Sequence, residues 1–146
     1  MAHRAETIIA AVAALLDGLI TTESRVYRGR AYAFRPEDVP GLAVYQGVDR
    51  VVEVLSHDVL ICELDVNIDA VAIDPADTAD ETLIAIRAEA TVALAADYTL
   101  GLAFVEDFQE LGAGEPAEEG IGEAVAARQR LQWRATYRRS RTDPGA

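Results

Sequence analysis

In LICELDVNI, positions 60–68, apolar and polar residues alternate from Cys62 to Ile68. Leu60, Cys62, Leu64, Val66 and Ile68 fall on one side. Glu63, Asp65 and Asn67, continued by Asp69, fall on the other. Successive side chains of a strand point to opposite faces. The segment is therefore a half-buried strand, with an apolar face that needs a cover and a charged face that does not. The C-terminal stretch repeats the design with the opposite charge. Ala127, Leu131, Trp133, Ala135 and Tyr137 share one face, and Arg128, Arg130, Gln132, Arg134 and Arg138 share the other. Two strands of this kind commit the chain to a sheet with one buried side.

The covers are legible too. Ile8, Ile9, Val12, Leu15, Leu16 and Leu19 recur at three- and four-residue spacing, which predicts an amphipathic helix ending near Gly18. A second helix follows Asp80 and Glu81, which suit the positive end of its dipole. It carries Leu83, Ile86, Ala90, Ala93 and Leu94 on one face and stops before Gly101. Strands are expected at 25–34, with a bulge at Gly29, at LAVYQG after Pro40, at 50–55 and at 103–111, with a turn at His57 and Asp58. Helix, about four strands, helix, two strands predicts an α+β fold: a mostly antiparallel sheet of about six strands with two main helices packed on one face. A chain of 146 residues fits a single domain, 1–146. GAGEPAEEGIGE, at 112–123, reads as an acidic Gly/Glu loop, long for a hairpin. Residues 139–146 read as a flexible C-terminal tail.

The chain has 25 acidic residues against 13 basic ones, a formal net charge of −12. That balance argues against general nucleic-acid binding, which rests on cationic contacts to phosphate. It permits a surface that DNA slides past without sticking. The N-terminal apolar stretch is interrupted by Glu6 and followed by Asp17, unlike a signal peptide. No run reaches the roughly 18 apolar residues of a membrane span, so a soluble protein is expected. The lone cysteine, Cys62, alternates with Leu60 and Leu64 and reads as a small core residue.

Six of the thirteen basic residues, all arginines, crowd into 128–141. If the acidic and basic strands share a sheet, their charged faces lie on the same side, and opposite charges across strands help by roughly 0.2–1 kcal/mol per pair. The same stripes are also two complementary patches, as a head-to-tail ring of copies requires. Both readings stand on the sequence.

Catalytic signatures are missing. His57 beside Asp58 reads as a polar turn, and no serine stands in a nucleophile-elbow context. Asp69, Asp74, Asp77, Asp80 and Glu81 lack the ligand spacing and turn glycine of a calcium loop, and Pro75 interrupts them. The glycines of 112–123 lack the Gly-Lys-Ser/Thr of a phosphate loop, and their glutamates would repel phosphate. No enzyme, metal or cofactor is expected.

Several segments together resemble a known family. An N-terminal helix precedes Thr21, Thr22 and RVYRGRAY. Then come EDVPGLAVYQG, the alternating LICELDVNID, the helix ETLIAIRAEATVALAADYTLG, and the closing strand ARQRLQWRATYRR. In order and spacing this resembles the tail terminator proteins of long-tailed (siphovirus-type) phages, the group of the lambda minor tail protein U, over most of the chain. The resemblance implies a virion structural protein in the tail or neck region, assembled in the host cytoplasm. It implies a homo-oligomeric ring, a hexamer, seated on the last ring of tail tube protein, where it stops polymerisation and receives the head-completion (stopper) protein. DNA would pass through the lumen without specific binding. On that footing Arg25, Arg28, Arg30, Arg128, Arg130, Arg134, Glu63 and Asp65 are expected at inter-subunit contacts. Asp69, Glu115, Glu118 and Glu119 are expected at the lumen or a docking surface. Alternatives are a neck (connector) ring of the same particle, infectious phage or phage-like gene transfer agent, and a small cytoplasmic α+β enzyme or ligand-binding domain.

Overall fold

The computed structural model describes residues 2–29, 33–73, 78–121 and 124–146. Helix α1 (Arg4–Leu16) opens at His3, whose imidazole Nδ1 accepts the Ala5 N–H at 3.0 Å. It buries Ala5, Ile8, Ile9, Val12 and Leu16; of the expected stripe, Leu15 is exposed and Leu19 lies beyond the helix. It ends before Gly18, whose φ of +91° favours glycine. Helix α2 (Ala79–Ala95) buries Leu83, Ile86, Ala90 and Leu94.

The strands are β1 (Val26–Arg28), β2 (Gly41–Val54), β3 (Val59–Ala72), β4 (Val105–Ala113), β5 (Ala117–Ile121) and β6 (Ala124–Ser140). They form one six-stranded sheet in the order β1-β2-β3-β6-β4, with β5 also paired to β6. Every pairing is antiparallel except β1 with β2, which makes the sheet mixed. The α+β class follows as the periodicities require: both helices pack on one face, over Leu42, Val44, Cys62, Leu64, Leu131 and Trp133. Each such side chain contributes about 1.5–3 kcal/mol on full burial. Phe108 stacks on Trp133 at 5.0 Å between ring centroids and 18° between planes. Cys62 is buried in this core, and burial pushes its thiol pKa up.

Several local expectations change. Among the described residues of the strand expected over 25–34, β1 is three residues long, and Gly29 just past it has φ +111°; residues 30–32 lie outside the described residues. LAVYQG and 50–55 are one strand, β2, because register shifts at Gln46/Asp49 and Val51/Glu53 absorb the extra residues as bulges. The described residues of the acidic loop expected at 112–123 are mostly strand; 122 and 123 lie outside the described residues. β4 runs through Ala113, and Ala117–Ile121 is β5, paired with residues 124–128 of β6. Strand β6 is 17 residues long. β4 pairs with only residues 131–137 of its outer edge, and β5 takes up the N-terminal remainder. The tail expected to be flexible is tied down. Pro144 O accepts from the Arg4 N–H at 2.9 Å, and the Arg141 N–H donates to Asp58 O at 2.8 Å.

Candidate interaction surfaces

Strands β3 and β6 are direct neighbours in antiparallel register, with Asp65 opposite Arg134, Asn67 opposite Gln132 and Asp69 opposite Arg130. The acidic and basic stripes therefore meet inside one chain, on the face away from the helices. Arg134 Nε donates to Asp65 Oδ1 at 2.8 Å, and its Nη1 lies 3.9 Å from Glu63. Arg50 on β2 reaches the same pair, at 3.3 Å from Asp65 and 3.7 Å from Glu63. The hydrogen bond to Asp65 holds the Arg134 guanidinium further above its already high pKa. Gln132 donates to Asn67 at 3.2 Å in the middle of the ladder.

The Asp69 end is built differently. Its carboxylate is only 4% exposed. It accepts from Arg128 Nη2 at 2.8 Å and Nε at 3.0 Å, and from the Tyr45 hydroxyl at 3.1 Å. Arg130 Nε lies 3.5 Å from its other oxygen. The guanidinium of Arg128 sits 5.5 Å from the Phe34 ring centroid, and that of Arg130 sits 5.8 Å from Tyr45. A small apolar cluster of Phe34, Ala43, Val71, Ile121 and Ala126 roofs this end. Burial, reinforced by the adjacent Asp69 carboxylate, raises the Tyr45 pKa. On the helix side, burial and a 2.8 Å hydrogen bond to Asp49 raise that of Tyr137 strongly.

The expected contact residues thus fall into groups. Arg128, Arg130, Arg134, Glu63 and Asp65 are brought together in the ladder, already paired within the chain. Arg25 is folded inward: its Nε donates to Pro40 O at 2.7 Å and its Nη2 to Thr21 O at 3.1 Å. Arg28 is half-exposed and pairs with Glu6 of α1 at 3.0 Å. Asp69 is committed to its arginines and Tyr45 and presents no free charge. Glu115, in the link between β4 and β5, and Glu118, on β5, are exposed beside the ladder. Arg30 and the side chain of Glu119 lie outside the described residues.

Sequence reasoning missed Tyr45 and Asp49, which orient nothing until the register is known. An open cleft of about 660 Å³ runs between α1 and β2, lined by His3, Glu6, Ile9, Arg28, Tyr45 and Asp49. None of its described lining residues is Ser, Thr or Cys. Among the described residues no group of three His, Cys, Asp or Glu side chains could hold a metal ion. No described helix is long and apolar enough to cross a membrane.

Two apolar surfaces remain uncovered. On α2, Ile84 and Val92 are 66% and 76% exposed. On the β2–β3 hairpin, Val48, Val51, Val52, Val54 and Leu55 are all exposed.

A scan against protein-family models finds no match, and a search of curated proteins finds none either. Twenty-six chains of solved structures match the fold. One is a chain from the virion of a native gene transfer agent particle, at a TM-score of 0.51 and 19% identity, over 93% of this chain and 90% of that one. At that identity the likeness is one of fold.

Proposed function

We propose that this protein is a structural component of a phage-like particle, and within it the tail terminator. In this reading copies of the chain form a ring on the end of the tail tube, stop its polymerisation and offer the surface to which the head joins. The observation that carries the reading is the shared fold, end to end, with a chain of a gene transfer agent virion. The order and spacing of segments along the sequence support it independently.

The electrostatics fit a conduit for DNA. On the open face Arg50, Arg128, Arg130 and Arg134 stand against Glu63, Asp65 and Asp69, so its charges nearly cancel. The surplus of the −12 chain is carried elsewhere, including Glu115 in the link between β4 and β5 and Glu118 on β5. We assign that edge to the DNA path, where negative charge keeps phosphate from sticking. Asp69 becomes a structural residue in this reading.

Deleting the gene from its particle tests the role. Tails that grow past their normal length, with filled heads left unjoined, are expected. Normal tails on particles whose heads leak DNA would move the protein to the neck, and unchanged particles would end the structural reading.

A further inference from the structure

Helix α2 is apolar on its inner face and, past the exposed Asp80 and Glu81 of its first turn, along its outer face too. Its inner face fills the core. Its outer face carries Ile84, Ala85, Ala88, Val92, Ala95 and Ala96, all exposed, with no charged side chain among them. Two charges beside this strip are turned to their own chain: Arg87 pairs with Glu110 at 3.4 Å, and Glu89 accepts from Thr21 at 2.5 and 2.8 Å. Ile84 and Val92, 66% and 76% exposed, are the large apolar side chains of this strip, and water is a poor cover for them.

The second uncovered surface is the β2–β3 hairpin. Beyond Val44, where Gly29 donates the last hydrogen bond along that edge at 3.0 Å, β2 has no neighbour on its outer side among the described residues. A free edge rich in valine invites strand addition, but the two bulges at 46–49 and 51–53 break its register. Such an edge docks by its side chains.

We propose that the hairpin of one copy packs on the outer face of α2 of the next. The inference rests on the ring reading above. The dimensions agree. The strip from Ile84 to Ala96 is roughly 18 Å long at 1.5 Å per residue, and the ridge from Val48 to Leu55 is roughly 20 Å long at a strand's rise. Together they supply the apolar centre of an interface of standard size, about 800 Å² per partner, without filling it. Two unlike surfaces on one chain give a head-to-tail contact, which propagates around a ring and does not stop at a dimer. The charged stripes are satisfied within each chain and are not needed to hold copies together. Copies of net charge −12 repel, so added salt screens the repulsion and tightens an apolar contact. An interface of ion pairs would loosen.

The test uses the full chain carrying Val92→Cys and Val52→Cys together, oxidised at high protein concentration, with each single variant as control. Native Cys62 is buried and silent. The double variant is expected to give a ladder of covalent oligomers on a denaturing gel, and each single variant to stay monomeric. Separately, Val92→Glu in the native sequence is expected to weaken self-association at least tenfold by sedimentation, with the melting transition of the monomer unchanged. Association of the native chain is expected to tighten by roughly tenfold between low and half-molar sodium chloride. A missing ladder, dimers from a single variant, or association that weakens with salt would each overturn the contact. Overgrown tails in the gene deletion together with a missing ladder would remove this contact and leave the terminator reading standing. A ladder with unchanged tails would do the reverse.

Discussion

The two ends of the charged face use the same residue types to different effect. At one end Arg50, Glu63, Asp65 and Arg134 are partly exposed, from 37% for the Arg50 side chain to 17% for Asp65. At the other, Asp69 is sealed beneath Tyr45, Arg128 and the Phe34 cluster. Exposed ion pairs are worth little, because water and salt compete and two long side chains must be held still. A buried carboxylate is held by charge-assisted hydrogen bonds, and losing it strands its arginine. The ladder therefore has a structural end and a solvated end, and pairing alone does not separate them; burial does.

The largest expected effect comes from Asp69→Asn. It keeps the shape but leaves Arg128 without its counter-charge, and should cost about 3 kcal/mol in urea unfolding. A loss under about 1 kcal/mol would erase the distinction between the two ends. Asp65→Asn, which removes the shared acceptor of Arg134 and Arg50, should cost about 1 kcal/mol. Raising salt to half molar should shrink that penalty and leave the Asp69 penalty nearly unchanged.

Tyr45 and Tyr137 sharpen the comparison through pH. Both have folded pKa values raised above the ordinary value of 10.0. Below that value both states are protonated and the contribution is fully present. Above it the unfolded tyrosines ionise while the folded ones hold their protons, so stability falls as pH climbs. Melting temperatures measured from pH 8 to 11 should drop in the native chain. The fall should be shallower in the double variant Tyr45→Phe, Tyr137→Phe. The smallest effect is expected for Arg50→Ala, within about 0.5 kcal/mol of the native chain by the same unfolding assay.

Local pattern carried much of this. The alternation of residues 62–68 placed Cys62 in the core, and the spacing of Ile8, Ile9, Val12 and Leu16 marked the buried stripe of α1. What escaped were features that depend on a partner. β5 hides in a glycine- and glutamate-rich segment with no strand pattern of its own, and it exists because β6 outruns β4. The Asp69 centre joins groups 24 and 59 residues apart in the chain.

The sequence by itself determined that there would be a sheet with one apolar and one charged side, two helices to cover the first, and stripes of opposite sign on the second. These follow from side-chain direction, which repeats every two or 3.6 residues and needs no distant information. Only the tertiary structure decided that the stripes are adjacent, that Asp69 and not Asp65 is sealed, and that α2 and the β2–β3 hairpin are left bare. Strand order and register are fixed by contacts between distant segments, and burial, which sets the worth of every charge here, exists only once those contacts have formed.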